Sequence, residues 1–314
     1  MSEQIQVEPG VLYLVGTPIG NLGDLSPRAA AILADVDLVA AEDTRHTLRL
    51  LNHLGLRKHL ESYHEHNRLS KKAILTGYLQ QGRSIALVSD AGMPCISDPG
   101  YELVRDCAGL GIKVTAIPGP CAAIVALAGA GLLSDRFVFE GFLPVQAKSR
   151  KSRLSELTIE LRTMILYEAP HRLIKTLTDL AASGLGDRKL TIARELTKRH
   201  EEFLRLTVSQ ALDHYSQHDP RGEYVLVFEG LSAYRQRLNI EKQMAGTDGG
   251  VSAADPLKAE LRDCRQRGLS MKDAVRECVN RGNRKKNVVY QAALEEYNDQ
   301  QNDAKHLRQR GRSS

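Results

Sequence analysis

The sequence predicts an α/β protein in two parts, followed by a small helical appendage. Three observations predict it. Short apolar runs alternate with helical patterns up to Ala130, and three of those runs end in Gly/Pro-rich loops. A second group of short strands begins near Phe137. The Gly-rich break Ala245-Gly-Thr-Asp-Gly-Gly250 then precedes three short helical patterns. The expected divisions are 1–135, 136–240 and a helical module over 251–299, with a disordered polar tail at 300–314.

In chain order, Val11–Val15 is an apolar run of strand length that ends at Gly16. Ser26-Pro27 starts a helix, with Ser as N-cap and Pro at the first helical position. Leu38–Ala41 is a strand, followed by helical stretches near Thr44–Leu54 and Asn67–Gln81. Ile85–Ser89 is a strand, Tyr101–Leu110 a helix ended by Gly111, Lys113–Ile117 a strand and Cys121–Ala130 an Ala-rich helix. The pattern changes at Phe137–Phe142, and the polar basic stretch Gln146–Arg153 follows. Strands at Thr163–Glu168, Leu190–Arg194, Glu202–Leu206 and Tyr224–Phe228 then alternate with helices near His171–Ala182 and Ser209–Ser216. The appendage reads as Pro256–Arg267, Met271–Asn280 and Arg284–Tyr297, separated by Gly268 and Gly282, with Ser270 placed to cap the middle helix. Short helices with tight turns suggest a helix-turn-helix-like module.

Composition narrows the class. With 42% hydrophobic and 26% charged residues, the 314-residue chain is ordinary for a globular protein. No apolar run approaches the roughly 20 residues that span a bilayer. The polar Met1–Gly10 is unlike a signal peptide, so a cytoplasmic protein without membrane contact is expected. Cys95, Cys107, Cys121, Cys264 and Cys278 are odd in number and form no C-x-x-C pair, which argues against a disulfide framework or a zinc site. From Leu231 onward there are 17 Lys/Arg against 11 Asp/Glu, while the remainder is near neutral. The excess positive charge is either a solvated tail or the footprint of a polyanion.

The three loops carry the chemistry. Gly16-Thr-Pro-Ile-Gly-Asn-Leu-Gly-Asp24 follows the first strand but matches neither the Walker A nor the G-x-G-x-x-G pattern. Ser89-Asp-Ala-Gly-Met-Pro-Cys-Ile-Ser-Asp-Pro-Gly100 offers an acceptor at Asp90 for an ammonium group, and its glycines permit close backbone approach. Asp98 reads there as a helix N-cap. Ile117-Pro-Gly-Pro-Cys-Ala-Ala123 opens a helix with small residues. The first loop alone reads equally well as a tight turn, a turn with a cap explains Asp98-Pro-Gly100 of the second but not the stretch before it, and the third alone is weak evidence. Three at the carboxyl ends of strands in one sheet point to a bound small molecule.

These loops recur together with Ala41-Glu-Asp-Thr-Arg45, Ser62-Tyr-His-Glu-His-Asn67, Tyr167-Glu-Ala-Pro-His-Arg172 and Arg194-Glu-Leu-Thr-Lys198. In this order they resemble the bacterial small-subunit ribosomal RNA 2′-O-ribose methyltransferases, within the tetrapyrrole (corrin/porphyrin) methylase superfamily. The resemblance covers about Val11 to Gly230, and the C-terminal module is similar to that family's helical extension. It implies the two-domain tetrapyrrole-methylase fold, a homodimer, no metal, and S-adenosyl-L-methionine held in the cleft. The implied substrate is a cytidine ribose of 16S rRNA near the decoding centre, within the assembled small subunit. The implied donor contacts are Pro18, Asp90, Met93, Cys121, Ala122, Leu166 and Tyr167, with Gly16, Gly92 and Pro118 in the same loops. The Asp90-Ala-Gly92 segment departs from the Gly-Asp-Pro of small-molecule members.

Several residues keep two readings. His64 and His66 suit a metal pair, polar contacts near the cleft, or a surface turn. Arg45 pairs with Asp43 or holds an RNA phosphate. Lys148, Arg150 and Lys151, and Arg284, Lys285 and Lys286, are further candidate phosphate contacts. Glu168, His171, Arg172, Glu195 and Lys198 are candidate catalytic residues at strand ends of the second part. A ribose hydroxyl is a weak acid, so a base helps as its bond forms, and Glu168, Glu195, Lys198 and His171 are all candidates. A lysine would need a lowered pKa for that role. Two alternatives remain at this level: a methylase acting on a tetrapyrrole-like molecule, and an RNA-binding protein without catalysis. The basic C-terminal part argues against the first and the ligand loops against the second.

Overall fold

The computed structural model describes residues 6–245, 256–282, 288–290, 292–294 and 296–297. The chain divides into two compact units, Met1–Leu238 and Asn239–Ser314. The first unit holds two five-stranded sheets, one in each of the two halves expected from the sequence.

The first sheet comprises β1 (Leu12–Val15), β2 (Leu38–Ala41), β3 (His59–Ser62), β4 (Ile85–Val88) and β5 (Val114–Ile117). Its order is β3-β2-β4-β1-β5, and every pairing is parallel. Alternate residues serve opposite faces. Tyr13, Val15, Val39, Ala41, Ala86 and Val88 pack under α1 (Pro27–Asp35) and α2 (Thr44–His53). Leu12, Leu38, Ala40, Ile85 and Leu87 pack under α3 (Arg68–Gln80) and α4 (Tyr101–Gly109). Both faces are covered, which is why β1, β2 and β4 read as continuous apolar runs. The Ser26 hydroxyl caps α1 by accepting from the Ala29 amide at 3.1 Å, as the sequence predicts. β3 has no counterpart among the strands expected from the sequence. It is an edge strand, His-Leu-Glu-Ser, with one apolar residue and little periodic signal.

Helix α5 (Ala122–Ala130) leaves the first sheet and packs on the second. Its Ala123, Ala126, Leu127 and Ala130 cluster with Ile165, Ala193, Val225 and Val227. The second sheet comprises β6 (Phe137–Phe142), β7 (Thr163–Glu168), β8 (Lys189–Arg194), β9 (Glu202–Thr207) and β10 (Tyr224–Phe228), in the order β6-β7-β10-β8-β9. Only β6–β7 is parallel. Its far face packs α6 (Ala147–Ile159), α7 (Pro170–Leu180) and α8 (Val208–Gln217).

The basic stretch at Gln146–Arg153 forms the start of α6, with Gln146 at its N-cap. Arg150 is 6% exposed there and is not a surface cation. Its guanidinium donates to Asp179 at 2.6 Å and to the Thr176 hydroxyl at 2.8 Å. That corrects its reading as a phosphate contact, because a residue paired inside the fold has no free face for one. Helix α9 (Leu231–Ala245) runs to the edge of the Gly-rich break, whose residues 246–250 lie outside the described residues.

In the second unit, α10 (Pro256–Gln266) and α11 (Met271–Gly282) share a core of Leu257, Leu261, Cys264, Ala274, Val275 and Cys278 with Val289 and Ala293. The Ser270 hydroxyl accepts from the Asp273 amide at 3.2 Å, the expected cap. The third helical pattern is described only at 288–290, 292–294 and 296–297, all helical. Arg284, Lys285, Lys286 and the tail from residue 300 lie outside the described residues.

Candidate active site

Because the first sheet is parallel, the loops after β1, β2, β4 and β5 emerge on one edge. They are pinned to one another. Thr17 and Gly92 exchange backbone hydrogen bonds at 2.9 and 3.0 Å, joining the first loop to the second. Gly92 has φ +84, a conformation that favours glycine. Gly16 and Gly119 meet backbone to backbone, and a Cβ on either would lie 2.8 Å from the other's Cα. This contact joins the first loop to the third, and it excludes any side chain at either position. Asp43 follows β2, and its amide donates to the Asp90 carboxylate at 3.0 Å.

The second sheet brings its own edge to the same place. β10 runs antiparallel to β7 and β8, so Tyr224 lies opposite both Glu168 and Arg194. The start of β10 therefore joins the ends of β7 and β8. Between the two edges is a cavity of about 570 Å³. Its first-sheet wall carries Glu42, Asp90, Gly92, Met93 and Asp98, and its opposite wall carries Phe142, Tyr167, His171, Glu223 and Tyr224. The Tyr167 hydroxyl accepts from the Ala123 amide at 3.1 Å, tying β7 to the start of α5. A depression of about 630 Å³ at the other end of the second sheet is lined by Arg136, Glu156, Glu160 and Arg162 and has no comparable loops.

The cavity is electrostatically one-sided. Burial, reinforced by the Glu42 carboxylate, pushes Asp98 up to about 6. Burial and the Asp90 carboxylate also raise Glu42. Crowded carboxylates favour an incoming cation, which relieves their mutual repulsion. Apolar Ile19, Met93, Ile96, Phe142 and Leu196 complete the lining.

Of the expected donor-binding residues, Asp90, Gly92, Met93, Cys121, Ala122 and Tyr167 line the cavity. Gly16, Pro18 and Pro118 lie in the loops without lining it, and Gly16 is taken up by the loop-to-loop contact. Leu166 is a correction. Its side chain packs with Met164, Leu173 and Leu177 on the far face of the second sheet, as alternation along β7 requires. Asp98 is not a helix cap, since α4 begins after Gly100. Glu42, Asp98, Glu223 and Tyr224 line the cavity although the sequence reading did not place them there.

Of the expected catalytic residues, Glu168 and His171 line the cavity, while Arg172, Glu195 and Lys198 do not. Glu168 is committed to structure. It accepts from the Thr176 hydroxyl at 2.5 Å and the Ala169 amide at 2.9 Å, and pairs with Arg172 at 3.3 Å. Lys198 bonds Glu195 at 2.9 Å and Glu223 at 2.8 Å. Burial works against its charge, but these two hydrogen bonds outweigh it and raise its pKa, the opposite of what a base requires. Among the described residues nothing engages the His171 ring. Arg45 is exposed and pairs with Asp43 at 2.6 Å, and Lys148 and Lys151 are exposed on α6. The rings of His64 and His66 lie 6.0 Å apart.

Two edges of facing sheets, joined by α5 and enclosing an acidic cavity, define a methylase-type α/β fold. The chain belongs to the Tetrapyrrole (Corrin/Porphyrin) Methylases, whose family model matches residues 11–212. It is 46% identical to the Ribosomal RNA small subunit methyltransferase I of Synechocystis sp. over 91% of this chain and 98% of that protein. The protein of the same name from Escherichia coli O157:H7 is 44% identical over 91% of this chain and 96% of its own length. In fold the chain is similar to uroporphyrin-III C-methyltransferase from Thermus thermophilus, whose crystal structure is complexed with S-adenyl homocysteine. That likeness has a TM-score of 0.51 at 15% identity, over 69% of this chain and 96% of that one.

Proposed function

We propose that this protein transfers a methyl group from S-adenosyl-L-methionine to the ribose 2′-hydroxyl of a cytidine in 16S ribosomal RNA, within the small subunit. The carrying observation is the acidic cavity between the pinned loops and the second sheet, in a chain whose full-length relatives bear the name of a small-subunit ribosomal RNA methyltransferase. The residues present fit the donor. Glu42, Asp90 and Asp98 would hold its positive charges, the Gly92 backbone would permit close approach, and Met93, Cys121, Ala122 and Tyr167 would offer apolar contact.

When bound, S-adenosyl-L-methionine supplies an electrophilic methyl on a sulfonium that departs as a neutral thioether. The protein's own part is alignment and proton handling. The pinned loops fix the donor wall. Glu168, bonded to Thr176 and the Ala169 amide, fixes the turn from β7 into α7 that presents His171. In this reading His171, whose ring has no hydrogen bond or ion pair among the described residues, accepts the proton of the attacking hydroxyl. Arg172, which donates to the Leu143 carbonyl, steadies the segment after Phe142. Lys198 orders Glu223 at the acceptor wall.

The protein acts as a homodimer in this reading. Ile124 and Val125 on the outer side of α5, with Leu133 and Phe137 beyond it, are exposed apolar groups suited to cover by a second copy. The helical unit serves as an RNA anchor, with Arg284, Lys285 and Lys286 as phosphate contacts. Removal of the chain beyond Ala245 tests that role: donor affinity stays and RNA affinity falls. Incubation with labelled donor and undermethylated small subunits tests the whole reading.

A further inference from the structure

The positive charge in the described part of the helical unit is largely neutralised. Arg262 pairs with Glu296, Arg267 with Asp263 and Glu277, Arg276 with Asp273, and Arg281 with Glu277. Helix α2 is different. From Thr44 to Lys58 the chain has four Lys/Arg and two His, and no Asp or Glu. Thr47, Leu50 and Leu51 face the core. The helical period therefore puts Arg45, Arg49 and Asn52 on the outward crest, with His46 and His53 on its flank. All five are exposed. Arg49 has no ion-pair partner among the described residues, whereas Arg45 is held by the cap, Asp43, with the Asp90 carboxylate also near it.

The position of this crest gives it a role. It begins where the donor cavity ends: Glu42 lines the cavity, and the next residue's amide bonds Asp90. We infer that the outward face of α2 is a track for the RNA strand flanking the target ribose, on which Arg45 and Arg49 hold successive phosphates. The inference rests on the RNA-methyltransferase reading. Residues four apart on a helix are about 6 Å apart along its axis, a step similar to that between neighbouring phosphates of an extended strand. Arginine forks suit phosphate oxygens, and a run of cations without intervening acids suits a backbone rather than a base edge. The track starts at the cavity mouth, so it orients the strand as well as attracting it.

The test uses the full chain and undermethylated small ribosomal subunits, with binding measured across a range of salt and donor affinity by calorimetry. A phosphate contact contributes about one unit of log–log salt slope, which is about tenfold in affinity near 0.1 M salt. Arg49→Glu is expected to weaken subunit binding about tenfold or more and flatten the slope, with donor affinity within twofold of the parent. Arg49→Lys is expected to retain most of the binding. Parent-like subunit binding by Arg49→Glu and by the Arg45→Ala/Arg49→Glu double variant would overturn the track alone. A parent protein that binds donor but neither binds nor methylates the subunits would overturn the RNA reading, and the track with it.

Discussion

The Tyr167 hydroxyl on β7 accepts a hydrogen bond from the Ala123 amide at 3.1 Å, so a side chain of the second sheet satisfies the first turn of a helix that leaves the first sheet. The bond ties β7 to the start of α5, the helix that links the two sheets. Burial and the nearby Cys121 push the phenol up to about 12, which keeps it a neutral hydroxyl. Replacing Tyr167 with Phe leaves an amide unsatisfied and is expected to cost about 1–2 kcal/mol. Thermal unfolding and donor calorimetry check this. A lower melting temperature with weaker donor binding is expected, and an unchanged protein would mean that the bond does not organise the site.

The Gly16–Gly119 contact makes a sharper demand. An Ala at 119 would place its Cβ 2.8 Å from the Gly16 Cα, so the two loops must part. Overpacking of this kind costs about 1–3 kcal/mol, and donor affinity is expected to fall at least tenfold. Gly77 is the control. It lies within α3 with nothing near its missing Cβ, so Gly77→Ala is expected to stabilise by up to about 1 kcal/mol and leave donor binding alone. Equal behaviour of the two variants in calorimetry would contradict the pinned-loop account.

His171 is expected to act on the chemical step. His171→Ala should lower turnover about 10²-fold or more with donor affinity nearly unchanged, the mark of an interaction made in the transition state. Single-turnover rates at saturating donor read this directly. Near-normal rates would move the proton acceptor elsewhere, Glu223 being the next carboxylate on that wall.

Donor binding should depend on pH through Asp98. Its pKa, pushed up by burial and by Glu42, lies above the usual 3.8 at about 6. A carboxyl group with a raised folded pKa stabilises the free protein below about pH 4, and that contribution is lost as pH rises through about 6. A cationic donor has the opposite preference for the ionised form. Its affinity should therefore rise between about pH 5 and 7 and level above, and Asp98→Asn should flatten that rise. Titration calorimetry across this range checks it, with Glu42, Asp90, Glu168, His171, Glu223, Cys121, Tyr167 and Tyr224 as the other titratable groups lining the cavity. A profile that the substitution leaves unchanged would remove Asp98 from the donor's surroundings.

The donor wall was legible in the sequence because its residues follow local rules. Each strand there is covered on both faces and reads as an apolar run, and each Gly/Pro loop follows its strand directly. Asp90 could thus be read from its loop, while Met93 and Cys121 were expected as donor contacts through the family resemblance. The acceptor wall was less legible. Glu223 and Tyr224 reach the cavity because β10 pairs antiparallel between β7 and β8, a long-range choice that no local pattern records. Leu166 was misplaced by one step of strand alternation. Arg150 looked like part of a surface cluster because its partners Thr176 and Asp179 come from a distant helix. Asp98 resembled a cap because it precedes Pro-Gly just before a helical pattern, but the N-cap position of α4 falls on Gly100.

The most direct measurement is the position of the transferred methyl. Undermethylated small subunits are incubated with the protein and labelled S-adenosyl-L-methionine, the RNA is digested to nucleosides, and the labelled product is analysed by mass spectrometry. The account predicts one labelled nucleoside, a cytidine whose added mass stays with the sugar fragment. A methyl on the base, or label found only on a tetrapyrrole offered in the same assay, would contradict it.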